Sequence, residues 1–236
     1  DVLGSRGLGD VYKRQLLNRS ILSSVAKVSG GEGIRIKPAG MHTKAEWTIQ
    51  MSAIYSSLTR SNLTTAYLSN GTGGEFYTRI SSTAGIQVKN GRDGDDTWTQ
   101  IPLQAGKWLH ITYVHKDKKT TVYVNGKVQK VFENSAITFG ENSMIIVGNS
   151  GYRNDYLREI RLWDKALTES EINDYLYLPM DPETPHLISY LPLSKEAGIK
   201  DLKAPADMEN VTTKARIEYV ENVKFPADEL VIVNQE

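Results

Sequence analysis

The sequence predicts an all-β fold, a two-sheet antiparallel sandwich with one short helix near 168–177. Three observations point to it. Short β-branched and aromatic runs recur at the spacing of a sandwich, each ended by Gly, Asn, Ser or Pro. The best-patterned runs alternate apolar and polar residues, as half-buried strands do. Helical patterning is confined to a single stretch. With 236 residues, 39% of them hydrophobic, the chain is long enough to fill one large core.

Residues 1–15 stand apart. The stretch 5–15 back-translates to the transposase adapter of DNA sequencing libraries, so 1–15 is expected to be translated adapter and not native protein. The true N-terminus, with any signal peptide, lipid-attachment cysteine or upstream domain, is then expected to lie outside this sequence.

From residue 33, the runs 33–37, 47–55, 64–69, 76–80, 86–89 and 97–101 read as strands. The clearest stretch follows. In 108–115, Leu109, Ile111 and Tyr113 share one face; in 120–124, Val122 and Val124 do. Lys116-Asp117-Lys118-Lys119 links them, and Asn125-Gly126 turns the chain again, so two hairpins are expected in succession. Further strands are expected at 127–132, 136–139, 144–147 and 156–163. Thr168 then opens the helix, with Glu171 at the capping-box position. Pro179, Pro182 and Pro185 end it and stiffen a connector. A strand at 186–193, a loop at 194–210 and a closing strand at 215–223 complete the pass. Residues 179–236 are expected to finish the sandwich begun by 16–178, because a separate unit of that size without disulfides would have little core.

Composition excludes several classes. Lys plus Arg equals Asp plus Glu at 28 each, which provides no footprint for a nucleic acid and no polybasic run for a lipid surface. There are no cysteines, hence no disulfides, thiolate metal sites or cysteine nucleophiles. No apolar stretch is long enough for a membrane span.

Four pieces resemble a known family. They are Trp47-Thr48-Ile49-Gln50-Met51; the run from Gly106 through Val114 with Val122-Tyr123-Val124-Asn125-Gly126-Lys127; Ile145-Ile146-Val147-Gly148; and the run from Leu157 to Ile172, which includes Arg161-Leu162-Trp163-Asp164. In order and spacing the chain is similar to a laminin-G-like, concanavalin A-like jelly roll. Leu187-Ile188-Ser189-Tyr190-Leu191-Pro192-Leu193 resembles a strand motif that such modules carry near one terminus, and Asn222-Val223-Lys224-Phe225-Pro226 resembles the ending of related surface lipoproteins from Gram-negative polysaccharide-utilisation systems. The resemblance implies a non-catalytic carbohydrate-binding or adhesion module at a bacterial cell surface, outer membrane or periplasm, with a neutral glycan as partner. Two other readings stay open: a structural or protein-interaction domain that packs on an upstream domain, and a divergent glycoside hydrolase.

Hydrolases of this fold need carboxylates about 5 Å apart, which a Glu-x-Asp-x-x-Glu strand would supply. This sequence has none. Calcium is a possible ion, not a required cofactor: 90–96 is rich in oxygen ligands but lacks a Glu at EF-hand spacing, with Ile101 and Gln104 where one is sought. Calcium sites in laminin-G-like relatives are built from separate loops, and Arg158 stands where many relatives carry Asp. His42, His110, His115 and His186 are not paired at ligand spacing, and His110 and His115 fall on opposite strand faces. For a neutral sugar the chemistry needs an aromatic face plus planar polar groups. Trp98, beside the acidic turn, and Tyr152, Arg153, Asn154 and Asp155, between two strands, are the candidates; Trp47, Trp108 and Trp163 read as core.

Overall fold

Two tight turns organise the first sheet. Asp117 and Lys118, and then Asn125 and Gly126, all take positive φ (50°, 60°, 49° and 76°), the twist that closes two-residue hairpins. The computed structural model describes residues 24–31, 33–38, 45–58, 60–67, 76–90, 97–133, 143–148, 152–176, 179–205 and 208–223. Its strands are β1 (Ser24–Gly30), β2 (Ile34–Ile36), β3 (Trp47–Ile54), β4 (Arg60–Tyr67), β5 (Phe76–Ser81), β6 (Gly85–Asn90), β7 (Thr97–Trp98), β8 (Trp108–Lys116), β9 (Lys119–Val124), β10 (Lys127–Phe132), β11 (Met144–Val147), β12 (Tyr152–Trp163), β13 (Leu187–Leu191), β14 (Val211–Thr212) and β15 (Arg216–Glu221), with one helix, α1 (Glu169–Asp174). The expected strand at 136–139 and the adapter-like N-terminus lie outside the described residues.

The strands form two antiparallel sheets. The first runs β10-β9-β8-β3-β12-β1-β15, with β13 also on β12; the second runs β14-β2-β11-β4-β5-β6-β7. Strand β12 is long enough to serve two neighbours on one side. Its residues Tyr152 to Leu157 pair with β1, and Ile160 to Trp163 pair with β13. Strands β13, β14 and β15 pair with β12, β2 and β1 respectively, which places the residues after the connector in both sheets. The segment before β14 is held by Asp201, whose carboxylate accepts from Ser189 Oγ (2.7 Å), Tyr190 N (2.8 Å), Lys203 N (3.0 Å) and Asn210 Nδ2 (2.8 Å).

The core lies between the sheets. Trp47, Ile49, Met51 and Ala53 of β3, Leu109, Ile111 and Tyr113 of β8, and Val122 and Val124 of β9 face Phe76, Ile80, Ile86, Val88, Ile145 and Val147 of the second sheet. An aromatic chain crosses the gap. Phe76 meets Trp47 and Tyr113 edge-on, each at 5.5 Å, and Tyr113 donates to Thr78 Oγ1 at 3.1 Å. The core spacing of β12 is irregular because Glu159 (φ +53°) is the extra residue of a β-bulge opposite β3. The bulge turns Leu157, Ile160 and Leu162 into the core and leaves Arg158, Arg161 and Trp163 on the other face.

That outer face of the first sheet is covered by α1 and the connector. Thr168 caps α1 and Glu171 returns the bond to the Thr168 backbone, so the expected capping box is present. The Lys165 ammonium, and then the Thr168 backbone, hold the Glu171 carboxyl below its ordinary range. Ile172, Leu167, Met180, Leu187, Trp163, Tyr190, Tyr123 and Val114 form a second apolar cluster beneath. Among the described residues no helix is long and apolar enough to cross a membrane.

Candidate functional site

The sequence candidates fall in two places. Strand β7 is an edge of the second sheet, four strands from β11, whose following loop leads to Tyr152. At about 4.8 Å per strand the separation is about 19 Å, so Trp98 and the 152–155 group do not share one site.

The stretch expected to be a loop up to Tyr156 is strand from Tyr152 onward, because β1, which the sequence reading passed over, supplies its partner. Tyr152 pairs with Gly30 and Arg153 with Ser29. Asn154 (φ +59°) is the extra residue of a bulge against Val28 and Ser29, and it is exposed; Asn tolerates this backbone better than most residues. Asp155, expected at a sugar-facing surface, is placed inside. It is fully buried, and its Oδ1 accepts from Ser56 N (2.8 Å) and Ser56 Oγ (3.0 Å), which holds the chain as it leaves β3.

Trp98 is half-buried and has neighbours that the sequence reading missed. In register it stands opposite Gln87 of β6, and Gln87 stands opposite Arg79 of β5. Directly paired residues project to the same face, so a guanidinium, an amide and an indole lie in a row across three strands. Ile86 and Val88, on either side of Gln87, point the other way into the core. Gln87 is fully buried, and among the described residues neither of its amide atoms has a hydrogen-bond partner. The alternation Gly85-Ile86-Gln87-Val88 already marks Gln87 as outward-facing; only strand register reveals its neighbours.

The short strand under Trp98 is tied down on both sides. Thr99 N donates to Ile86 O (2.8 Å), and Thr99 Oγ1 accepts from Ile86 N (3.0 Å). Lys130, on β10 of the other sheet, reaches across the edge of the sandwich to donate to Trp98 O at 2.9 Å. Gly85 (φ +80°) lets this strap pass, since a Cβ there would lie 2.2 Å from Thr99 Oγ1.

The remaining titratable groups serve the fold. His110 is buried, and burial first, then the nearby Arg161 charge, pushes its pKa down to about 3. His115 stacks on Trp47 at 5.0 Å and is likewise lowered by burial. Glu159 pairs with Arg161. His186, exposed, meets Asp164 at 2.9 Å. The 91–96 turn and His42 lie outside the described residues, and among those described no group of three or more Asp, Glu or His side chains could hold a metal ion.

The chain matches the laminin G model of the concanavalin A-like lectin/glucanases superfamily over residues 29–173. It belongs to that superfamily. No curated protein sequence matches it. Among solved structures it is similar to a "putative carbohydrate binding protein" from Bacteroides ovatus, with 19% identity and a TM-score of 0.58 over 84% of this chain. The chain spans 60% of the length of that protein. It is also similar to a heptameric SAP-like pentraxin of Limulus polyphemus (13% identity, TM-score 0.57, 85% of this chain and 96% of that one). A third is domain 4 of AbnA, an extracellular arabinanase of Geobacillus stearothermophilus in complex with arabinotriose (18% identity, TM-score 0.55, 64% and 75%). At these identities the likeness establishes the fold.

Proposed function

We propose that this superfamily member is a non-catalytic carbohydrate-binding module of a bacterial cell-surface protein. The observation that carries the reading is the shared sandwich: one similar structure is named a "putative carbohydrate binding protein" and another is an arabinanase domain in complex with arabinotriose. The buried acids support the non-catalytic part. Among the described residues these are Asp155, Glu159 and Asp201, and each is occupied by Ser56, Arg161 or the Ser189–Asn210 group. A retaining glycosidase would need two carboxyls converging on open space instead. The proposed partner is a neutral glycan, and the proposed surface location rests on the likeness of residues 222–226 to the ending of surface lipoproteins.

The test is binding of the purified chain to a panel of plant and bacterial glycans, with calcium and with chelator. Binding without release of reducing ends is the expected result. Time-dependent hydrolysis of any of them would overturn the non-catalytic reading, and loss of binding on chelation would add an ion to the site.

A further inference from the structure

We infer that the Arg79–Gln87–Trp98 row on the outer face of the second sheet is the sugar subsite, with the Gln87 amide as its specificity-determining group. This deepens the carbohydrate-binding reading and rests on it.

The argument starts from Gln87. A buried amide almost always has partners, and one whose carbonyl and NH2 are both without them calls for an explanation. Its position supplies one. It lies between Arg79 and Trp98, both only partly buried, on a face whose opposite side is the core. An amide presents one acceptor and two donors in a plane, while each sugar hydroxyl both donates and accepts. Two adjacent ring hydroxyls therefore match the two ends of the amide, one donating to Oε1 and the other accepting from Nε2. The indole next to it offers the apolar surface that the C–H face of the same ring requires.

The row is also built to stay in place. The bonds from Lys130 to Trp98 O and between Thr99 and Ile86 fix the backbone that carries the indole before a ligand arrives. Sugar entry draws the Arg79 side chain aside and exposes the amide, with the indole left in place. The ligand class is a neutral oligosaccharide with a vicinal diol.

Isothermal titration with arabinotriose, xylotriose, cellotriose and maltotriose tests this, on wild type, Trp98→Ala and Gln87→Leu, with thermal unfolding of each. For whichever sugar binds wild type, both substitutions are expected to weaken affinity at least tenfold, while Gln87→Leu leaves the Tm equal to or above wild type. Unchanged affinity in both variants, with wild type binding, would place the site elsewhere and overturn this inference alone. A lowered Tm in Gln87→Leu would make the amide a structural group and overturn it too. No binding of any of the four sugars by wild type would overturn this assignment, while the broader glycan panel decides the carbohydrate-binding reading by itself.

Discussion

Gln50 and Gln87 are both fully buried, and each projects from the outer face of its sheet, yet their surroundings differ completely. Gln50 Oε1 accepts from Trp163 Nε1 at 2.8 Å, and its Nε2 donates to Thr112 Oγ1 at 3.4 Å, which in turn meets His110 Nδ1. Above this row, Arg161 pairs with Glu159 and donates to Tyr175 O, and Tyr190 donates to Glu159. Among the described residues Gln87 has no such partner. The comparison teaches that one face has been closed by the chain's own helix and connector, with a polar network as the seam. On the other, the Gln87 amide keeps hydrogen-bonding capacity that the described residues do not use.

Breaking the closed face gives the largest expected effect. Glu159→Leu leaves the buried Arg161 and Arg158 without their carboxylate, and a loss of about 3–5 kcal/mol in denaturant unfolding is expected. A loss below 1 kcal/mol would mean that water or other groups already satisfy the guanidinium pair. The two glutamines then sharpen the contrast. Gln50→Leu orphans Trp163 Nε1 and is expected to cost about 1–3 kcal/mol, whereas Gln87→Leu orphans nothing and is expected to be neutral or stabilising. Equal costs at the two positions would erase the distinction.

A further contrast is in pH. Burial lowers the folded-state pKa of His110 to about 3 and also lowers that of His115, so the unfolded chain binds more protons than the folded one below the ordinary histidine value of 6.5. Stability is therefore fully present above about pH 6.5 and falls as the pH drops toward 3, at most by about 1.4 kcal/mol per pH unit for each histidine. His110→Asn is expected to flatten that slope between pH 6 and 4 in chemical-denaturation curves. An unchanged slope would assign the acid sensitivity to the carboxylates.

Much of the sandwich was legible in the residues. Alternation in 109–113 and 122–124 identified the faces of β8 and β9, Asn125-Gly126 gave a turn, and Thr168 with Glu171 gave the cap. The exceptions have local causes. Strand β1 is hard to see in the sequence because both its faces are covered at its start: Ser24, Val25 and Ala26 are all buried, with Lys195 N on Ser24 Oγ at 2.8 Å, so no alternation results. Strand β14 has two residues, too few for any pattern. Tyr152 and Asp155 were read as loop because the strand that pairs with them was not seen.

The sequence by itself determined the fold class, the hairpins and the helix cap, because periodicity, turn chemistry and capping are properties of residues near one another in the chain. Tertiary structure alone decided that Asp155 turns inward, that Glu159 sits in a bulge, and that Gln87 lies between Arg79 and Trp98. Those outcomes depend on strand register and on which element covers which face. Both are set by contacts between residues far apart in sequence, for which the local pattern carries no signal.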